Sequence, residues 1–402
     1  MNILILDTGK EWGGGTNSLL ELLKRIDRDR FRLQVLFYHN YGQGEGDIKS
    51  SIEDLGIDFL LLPQEKQSIV AKILKETSRA LFFLSKEFKK WAIFCIDRRT
   101  RIMKNAERLA DILKERKIDM LYMNNQPSSN LEGIIASKMT GIPAIQHCRI
   151  ETMLNSFEVR VANEGLSKII CVSEGVRNAL VERGVDPLKC VVAYNGISAQ
   201  TIPLRSPDEI KNEWGVQEGE LLIGTVGSLI RRKRIKDLIE ALHMIGERAG
   251  RVKCLIVGQG PERESLAALA KKRGLSDRVI FTGFQPDAVS FINAMDIFAM
   301  PSEKEGFPRV VLEAMLMQKP VIASRIRGTE ELIVENETGR LFRKGNSRKF
   351  AAYLTELLLS SSLRKAMGTA GKERVVDNFS IKEYVNNVQK VFGEVLEANN
   401  VR

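Results

Sequence analysis

The stretch PSEKEGFPRVVLEAM, Pro301–Met315, decides how the rest of the chain is read. It ends an apolar run, DIFAM, at a Pro-Ser step, crosses a charged loop, and turns apolar again after Gly-Phe-Pro. A short β-rich run leading into a helix is half of a βαβ unit. Two acids flank the turn. Glu305 precedes it, and Glu313 stands about 1.4 turns into the helix at 3.6 residues per turn. An acid among Val310, Val311, Leu312, Ala314 and Met315 is costly without a partner. Pro308 suits the first helical position. The amides of Phe307, Arg309 and Val310 then lie at the helix's positive end, open to an anion. A carboxylate accepts from two hydroxyls at once, so a ribose diol fits Glu313; a buried Glu–Arg pair is the alternative reading.

Outward from this stretch the same alternation runs the length of the chain. NILILD, FRLQVLFYH, DFLLL, DMLYMNN, PAIQHC, KIICVS and CVVAYNG read as strands of one half. LLIGTVGSL, KCLIVG, VIFTGF, DIFAMPS, PVIAS and TGRLF read as strands of the other, with helical periodicity between. A chain of 402 residues exceeds one ordinary core. Gly196–Gly219, with Pro203 and Pro207 and no apolar strand, is the best linker. The expectation is an α/β protein of two doubly wound, Rossmann-like parallel-sheet domains facing a central cleft. Residues 1–203 form the first and 204–378 the second. Residues 379–402 form a helix, opened by Ser380 as N-cap, that packs back on the first.

Ligands of open α/β sheets lie beyond the carboxyl ends of the strands, so those positions carry the chemistry. Gly13-Gly14-Gly15 after the first strand let backbone approach a phosphate or sugar, although no P-loop Gly-Lys-Ser/Thr follows. His147 stands at the carboxyl end of PAIQHC and Arg149 follows it. Ser173 reads as a helix N-cap and Asn195-Gly196 as a turn. After Gly227 and Ser228 comes a cationic run, Arg231 to Arg234. Arg forks and a Lys point charge suit a diphosphate, against the plainer reading of a solvated charge run. Gly258 and Gly260 form a GxG, but Arg263 at the third glycine position breaks the dinucleotide fingerprint.

The net charge of +10 points to an anionic partner or to a solvated surface. Five dispersed cysteines without a CxxC read as reduced thiols of a cytoplasmic protein, and no zinc-site spacing appears. The N-terminal MNILILD is a buried strand rather than a signal peptide, and no apolar run approaches the roughly 20 residues of a membrane span. No nucleic-acid-binding motif accompanies the basic balance.

Taken together, EGFPRVVLEAM, VGSLIRRK, VSEGV, YNGI, VGQGPERE, FTGF, DIFAMPS and GTEELI…TGRLF resemble the retaining glycosyltransferases of family 4, with their E-x7-E signature and GT-B fold. The resemblance implies a nucleotide-diphosphate sugar on the second domain and a glycan or lipid-linked acceptor on the first. Glu313 would hold the ribose, and Glu305 would face the donor sugar. Arg232 and Lys233 would hold the diphosphate, helped by amides of the Gly306–Val311 turn, where Pro308 removes one donor, and Gly306, Phe307, Pro308, Arg309 and Val310 would all border the donor. His147 would touch the sugar, Gly14 and Gly15 would line the cleft, and the base would sit near Phe284, with Gly227 and Gly258 beside the nucleotide. It also implies no cofactor or metal, because Arg and Lys replace the ion. Departures from the family pattern are Ser228 for Arg, Pro308 for Gly, and Arg234 and Arg327 for Gly. A sugar-nucleotide epimerase of the same fold and a basic nucleic-acid-binding protein are the competing readings.

Residues 68–117 mix ALFFL and WAIFCI with Lys86, Lys89, Lys90, Arg98, Arg99, Arg101 and Lys104. Such a segment either lies on the anionic inner face of the plasma membrane or forms an amphipathic helix pair covering the first sheet.

Overall fold

The computed structural model describes residues 1–43, 46–65, 68–83, 85–246 and 251–400. Leu84, within the basic aromatic segment, and Val401 and Arg402, at the expected end of the terminal helix, lie outside them.

Strands β1 (Asn2–Asp7), β2 (Arg32–Phe37), β3 (Asp58–Leu61), β4 (Met120–Asn125), β5 (Ala144–Cys148), β6 (Lys168–Cys171) and β7 (Cys190–Val192) form one sheet in the order β3-β2-β1-β4-β5-β6-β7. Strands β8 (Leu221–Val226), β9 (Val252–Val257), β10 (Val279–Gly283), β11 (Ile297–Met300), β12 (Val321–Ser324) and β13 (Gly339–Phe342) form the second, ordered β10-β9-β8-β11-β12-β13. Every pairing in both sheets is parallel. Helices cover both faces, so central strands must be apolar on both sides, and Ile3 to Leu6 are all fully buried. The strand order reverses beside β1 and again beside β8. Each reversal opens a crevice at the strands' carboxyl ends.

Helix Pro207–Glu213 packs on helix Ala288–Ala294, and the Arg205 amide donates to Ser290 Oγ at 2.9 Å, so the chain has joined the second unit by Arg205. After helix Ser361–Asn378 the chain crosses back. Ile197 and Ser380 form a parallel bridge, the Glu383 amide donates to Ser380 Oγ, and helix Ile381–Asn400 lays Phe392 against Phe31 and Tyr122 of the first unit.

Between β3 and β4 the chain runs through helix Ile69–Leu81, then helix Lys86–Asp97, which continues through a π-turn, Arg98–Ile102, into helix Met103–Glu115. Only the last of these covers the sheet with an apolar face, through Ala106, Leu109, Ala110 and Leu113. The first two turn apolar residues outward. Ile69, Val70, Ile73, Leu74, Leu81, Phe83, Phe88 and Trp91 are 46–76% exposed. The inward face of helix Ile69–Leu81 carries Ala71 and Lys75, the latter paired with Asp97. Helix Ile69–Leu81 is therefore not an ordinary cover for the first sheet, because its amphipathicity is inverted.

Candidate active site

The basic run after β8 folds as one tight turn, Arg231–Lys233, closed by Arg234 at φ 50°. A left-handed non-glycine residue costs roughly 1–2 kcal/mol, which accounts for the glycine usual there. Here Asp237 compensates, accepting from Arg234 at 2.7 and 3.2 Å. The turn aims Arg232 and Lys233 at Glu305. Lys233 Nζ lies 2.8 Å from one carboxylate oxygen and Arg232 Nη1 3.2 Å from the other. Arg232 Nη1 also donates to the Lys304 carbonyl at 2.7 Å. Gly227 lies against this side chain at φ 150°, a backbone conformation that a residue with a Cβ rarely adopts. Burial pushes the Glu305 carboxyl upward, but Lys233 and Arg232 outweigh it and hold it below the ordinary carboxylate value.

Glu313 behaves oppositely. Its side chain is 12% exposed, its nearest cation is Arg309 Nη2 at 3.8 Å, and burial raises its carboxyl above the ordinary value against Arg309's pull. The Glu–Arg alternative is thus present, but as a loose contact. Pro308 caps the helix from outside, extended at ψ 112°, and the helix proper is Arg309–Leu316. This corrects Pro308 as a first helical residue by one position. Among the described residues, the amides of Phe307, Arg309 and Val310 meet no acceptor.

The first domain holds this turn by its carbonyls. Ser173 Oγ donates to the Gly306 carbonyl at 3.0 Å while capping its own helix through Val176 N. Asn195 Nδ2 donates to the Phe307 carbonyl at 3.0 Å. A Cβ on Gly306 would lie 2.1 Å from the Arg149 carbonyl oxygen. Across the same seam, Glu331 accepts from the amides of Glu174 and Gly175 at 2.9 and 2.7 Å, at the start of helix Glu174–Val181.

His147 does not line the cleft. It is fully buried, its Nδ1 2.6 Å from the Tyr122 hydroxyl, with the rings of Tyr122 and Tyr384 beside it. Burial and then Arg149 hold it well below its ordinary pKa, so it is neutral. The period of two explains the correction: His147 shares its face of β5 with Ile145, under the helices, and Arg149 emerges past the strand end. Arg149 donates to Asn124 at 2.7 Å, to Asn195 and Tyr384 at 3.1 Å, and to Tyr122 at 3.4 Å. Asn124 in turn donates to the buried Asp7 carboxylate at 2.6 Å. Gly15 faces this network, its Cβ position 3.9 Å from Arg149 Cγ, and Gly14 begins helix Gly14–Arg25 with open space around it.

Gly258 is required by backbone, since a Cβ there would lie 2.0 Å from the Gly227 carbonyl. Its amide donates to Gly283 O, which sets half-buried Phe284 at the crevice rim. Among the described residues no group of three or more His, Cys, Asp or Glu is placed to hold a metal ion. Sequence reasoning gave Ser173 and Asn195 capping and turn roles only. Their reach across the cleft depends on how the domains meet, which no local spacing encodes.

Two family models match adjoining parts of the chain: "Glycosyltransferase Family 4" over residues 12–201 and "Glycosyl transferases group 1" over 206–374. The chain is 27% identical over 305 residues to N-acetyl-alpha-D-glucosaminyl L-malate synthase of Bacillus anthracis, covering 72% of this chain and 78% of that protein. It is 24% identical over 304 residues to the capsular polysaccharide biosynthesis glycosyltransferase CapM of Staphylococcus aureus, covering 71% and 80%. Among solved structures, Anabaena HepE in complex with UDP-glucose superposes with a TM-score of 0.78 at 22% identity, over 98% of this chain and all of that one. With both halves matched in order and the GT-B architecture in place, the chain belongs to glycosyltransferase family 4.

Proposed function

We propose that the protein transfers a sugar, with retention of anomeric configuration, from a nucleotide-diphosphate sugar to a hydroxyl of a glycan or lipid-linked acceptor of cell-envelope type. The observation that carries this reading is the Glu305–Lys233–Arg232 cluster beside a turn whose carbonyls are fixed and whose amides are open. Fixed carbonyls leave the amides of Phe307, Arg309 and Val310 aimed at one anion, and the two cations stand where a diphosphate can share them with Glu305. A preorganised donor aimed at charge developing on a leaving group typically contributes on the order of 10²–10³ in rate. The leaving phosphate would take the acceptor's proton, and with Arg232 and Lys233 as cations the chemistry needs no metal. Glu313, desolvated and loosely paired, would accept from the ribose diol. Relatives named for polysaccharide synthesis and a neighbour holding UDP-glucose favour a uridine donor and a glycan acceptor.

Among the described residues no helix is long and apolar enough to cross a membrane. The outward apolar residues of Ile69–Leu81 and of the segment through Trp91 support peripheral attachment to an anionic inner membrane surface, where a lipid-linked acceptor would reside.

Thermal-shift screening against UDP-, GDP- and ADP-sugars tests the donor reading, and NMR of the anomeric configuration of the newly formed glycosidic bond tests retention. One nucleotide series should stabilise the protein. Stabilisation by none of them would sink the transferase assignment for this chain's site, and an inverted first product would sink retention.

A further inference from the structure

Beside Glu305, on the side away from the Arg231–Lys233 turn, lies a cavity of about 450 Å³. Its walls come from the loops after β12 and β13, from the donor turn, and from Glu151 of the first domain. Five cations line it: Lys304, Arg325, Arg327, Arg343 and Lys344. Arg325 is paired with Glu330 and Glu335, and Arg327 with Glu182 across the cleft. Lys304, Arg343 and Lys344 have no carboxylate partner among the described residues. Arg327 Nη1 is moreover buried without an acceptor. Of the acids in the wall, Glu305 is already held by Arg232 and Lys233, which leaves Glu151 and Glu303 against a larger positive set. Arg234, outside the wall, is already paired with Asp237 and adds nothing to that set.

We propose that this pocket seats an anionic group, a carboxylate or a phosphate, carried by one of the two sugars that meet at Glu305. Neutral hydroxyls would leave the unpaired cations crowded around a pocket open to solvent, with no anion between them. A carboxylate or phosphate would share them, and the guanidinium fork of Arg327 matches either oxyanion bidentately. The inference rests on the transferase reading, since it takes Glu305 as the meeting point of donor and acceptor.

The test is a set of paired titrations. UDP-glucuronate is compared with UDP-glucose as donor, and glucose 6-phosphate with methyl glucoside as acceptor in the presence of saturating UDP. In one pair the charged member should bind at least about tenfold tighter, the range of a charge-assisted contact. That preference should shrink to about threefold or less in Arg327→Gly and in the Arg343→Ser/Lys344→Ser double variant, the latter leaving the Arg327–Glu182 bridge intact. Which pair responds identifies the charged substrate. Equal binding within both pairs, or a preference that survives both variants, overturns the pocket's role. UDP itself is the control: if UDP binds throughout, such a result leaves the transferase reading standing, and if no nucleotide binds, that reading falls first and takes this one with it.

Discussion

At the residue scale, the two acids of the E-x7-E stretch are separated by their surroundings rather than by their spacing. Glu305 is held ionised by two cations. A carboxyl with a lowered pKa contributes stability above its unfolded value, lost only as pH falls through the lower folded value, so Glu305 stays charged wherever the protein is assayed. Glu313 is raised, so its ionisation costs the unliganded fold as pH rises, and a diol that bonds the carboxylate offsets that cost. UDP-sugar affinity should therefore weaken as pH falls toward and through the ordinary carboxylate value of 4.5 from above. In Glu313→Gln this acid limb should vanish, with affinity at neutral pH down about 10–100-fold and the fold intact by circular dichroism. Loss of stability at unchanged donor affinity would instead favour the Glu–Arg pair. His147→Phe is the contrasting case. It should lower stability by about 1–3 kcal/mol through the stranded Tyr122 hydroxyl, read by urea denaturation, and leave kcat within about threefold once folded. A kcat loss beyond tenfold would return His147 to the site.

At the scale of elements, the parallel sheets were legible because buried strands read as short apolar runs. Every expected strand is present within a few residues. Glu305, Arg232 and Lys233 were legible as a basic turn and an acid at neighbouring strand ends. What was not legible came from geometry with no local signature. His147 and Arg149 differ by two residues and a strand end, yet one lies in the core and the other joins four side chains. Gly306 looked like a phosphate-loop glycine, but the first domain's Arg149 carbonyl already excludes a side chain. Gly306→Ala should therefore separate the domains or shift the turn, raising donor KM at least about tenfold, in the range of a 1 Å misplacement. Unchanged donor KM would mean the interface yields freely. The helices after β3 were expected either to cover the sheet or to meet a membrane, and the inverted amphipathicity of helix Ile69–Leu81 favours the second. Ile73→Asp/Leu74→Asp should abolish co-sedimentation with anionic vesicles while leaving UDP-sugar binding unaltered. Equal partitioning with and without anionic lipid in the parent protein would remove the membrane from the account.

At the scale of the whole molecule, two sheets of like order are joined through the linker to Arg205, through the return of the terminal helix, through Glu331 and Arg327 across the seam, and through the hydrogen bonds that meet the donor turn. The last of these makes the turn a shared object. Its amides belong to the second domain and meet no acceptor among the described residues, while its carbonyls are held by Ser173 and Asn195 of the first. Asn195→Ala should accordingly speed release of UDP in stopped-flow displacement, by about fivefold for one neutral hydrogen bond, acting through the Phe307 carbonyl it holds. An unchanged off-rate would show that the turn holds its shape unaided. The consequence concerns the order of events in a catalytic cycle. If the cleft gapes, the turn loses the buttresses that orient its amides, so the enzyme slackens its hold on the spent nucleotide in the same movement that gives the nucleotide a way out. Departure of the by-product and readmission of a fresh donor would then be timed by one hinge, with no separate trigger.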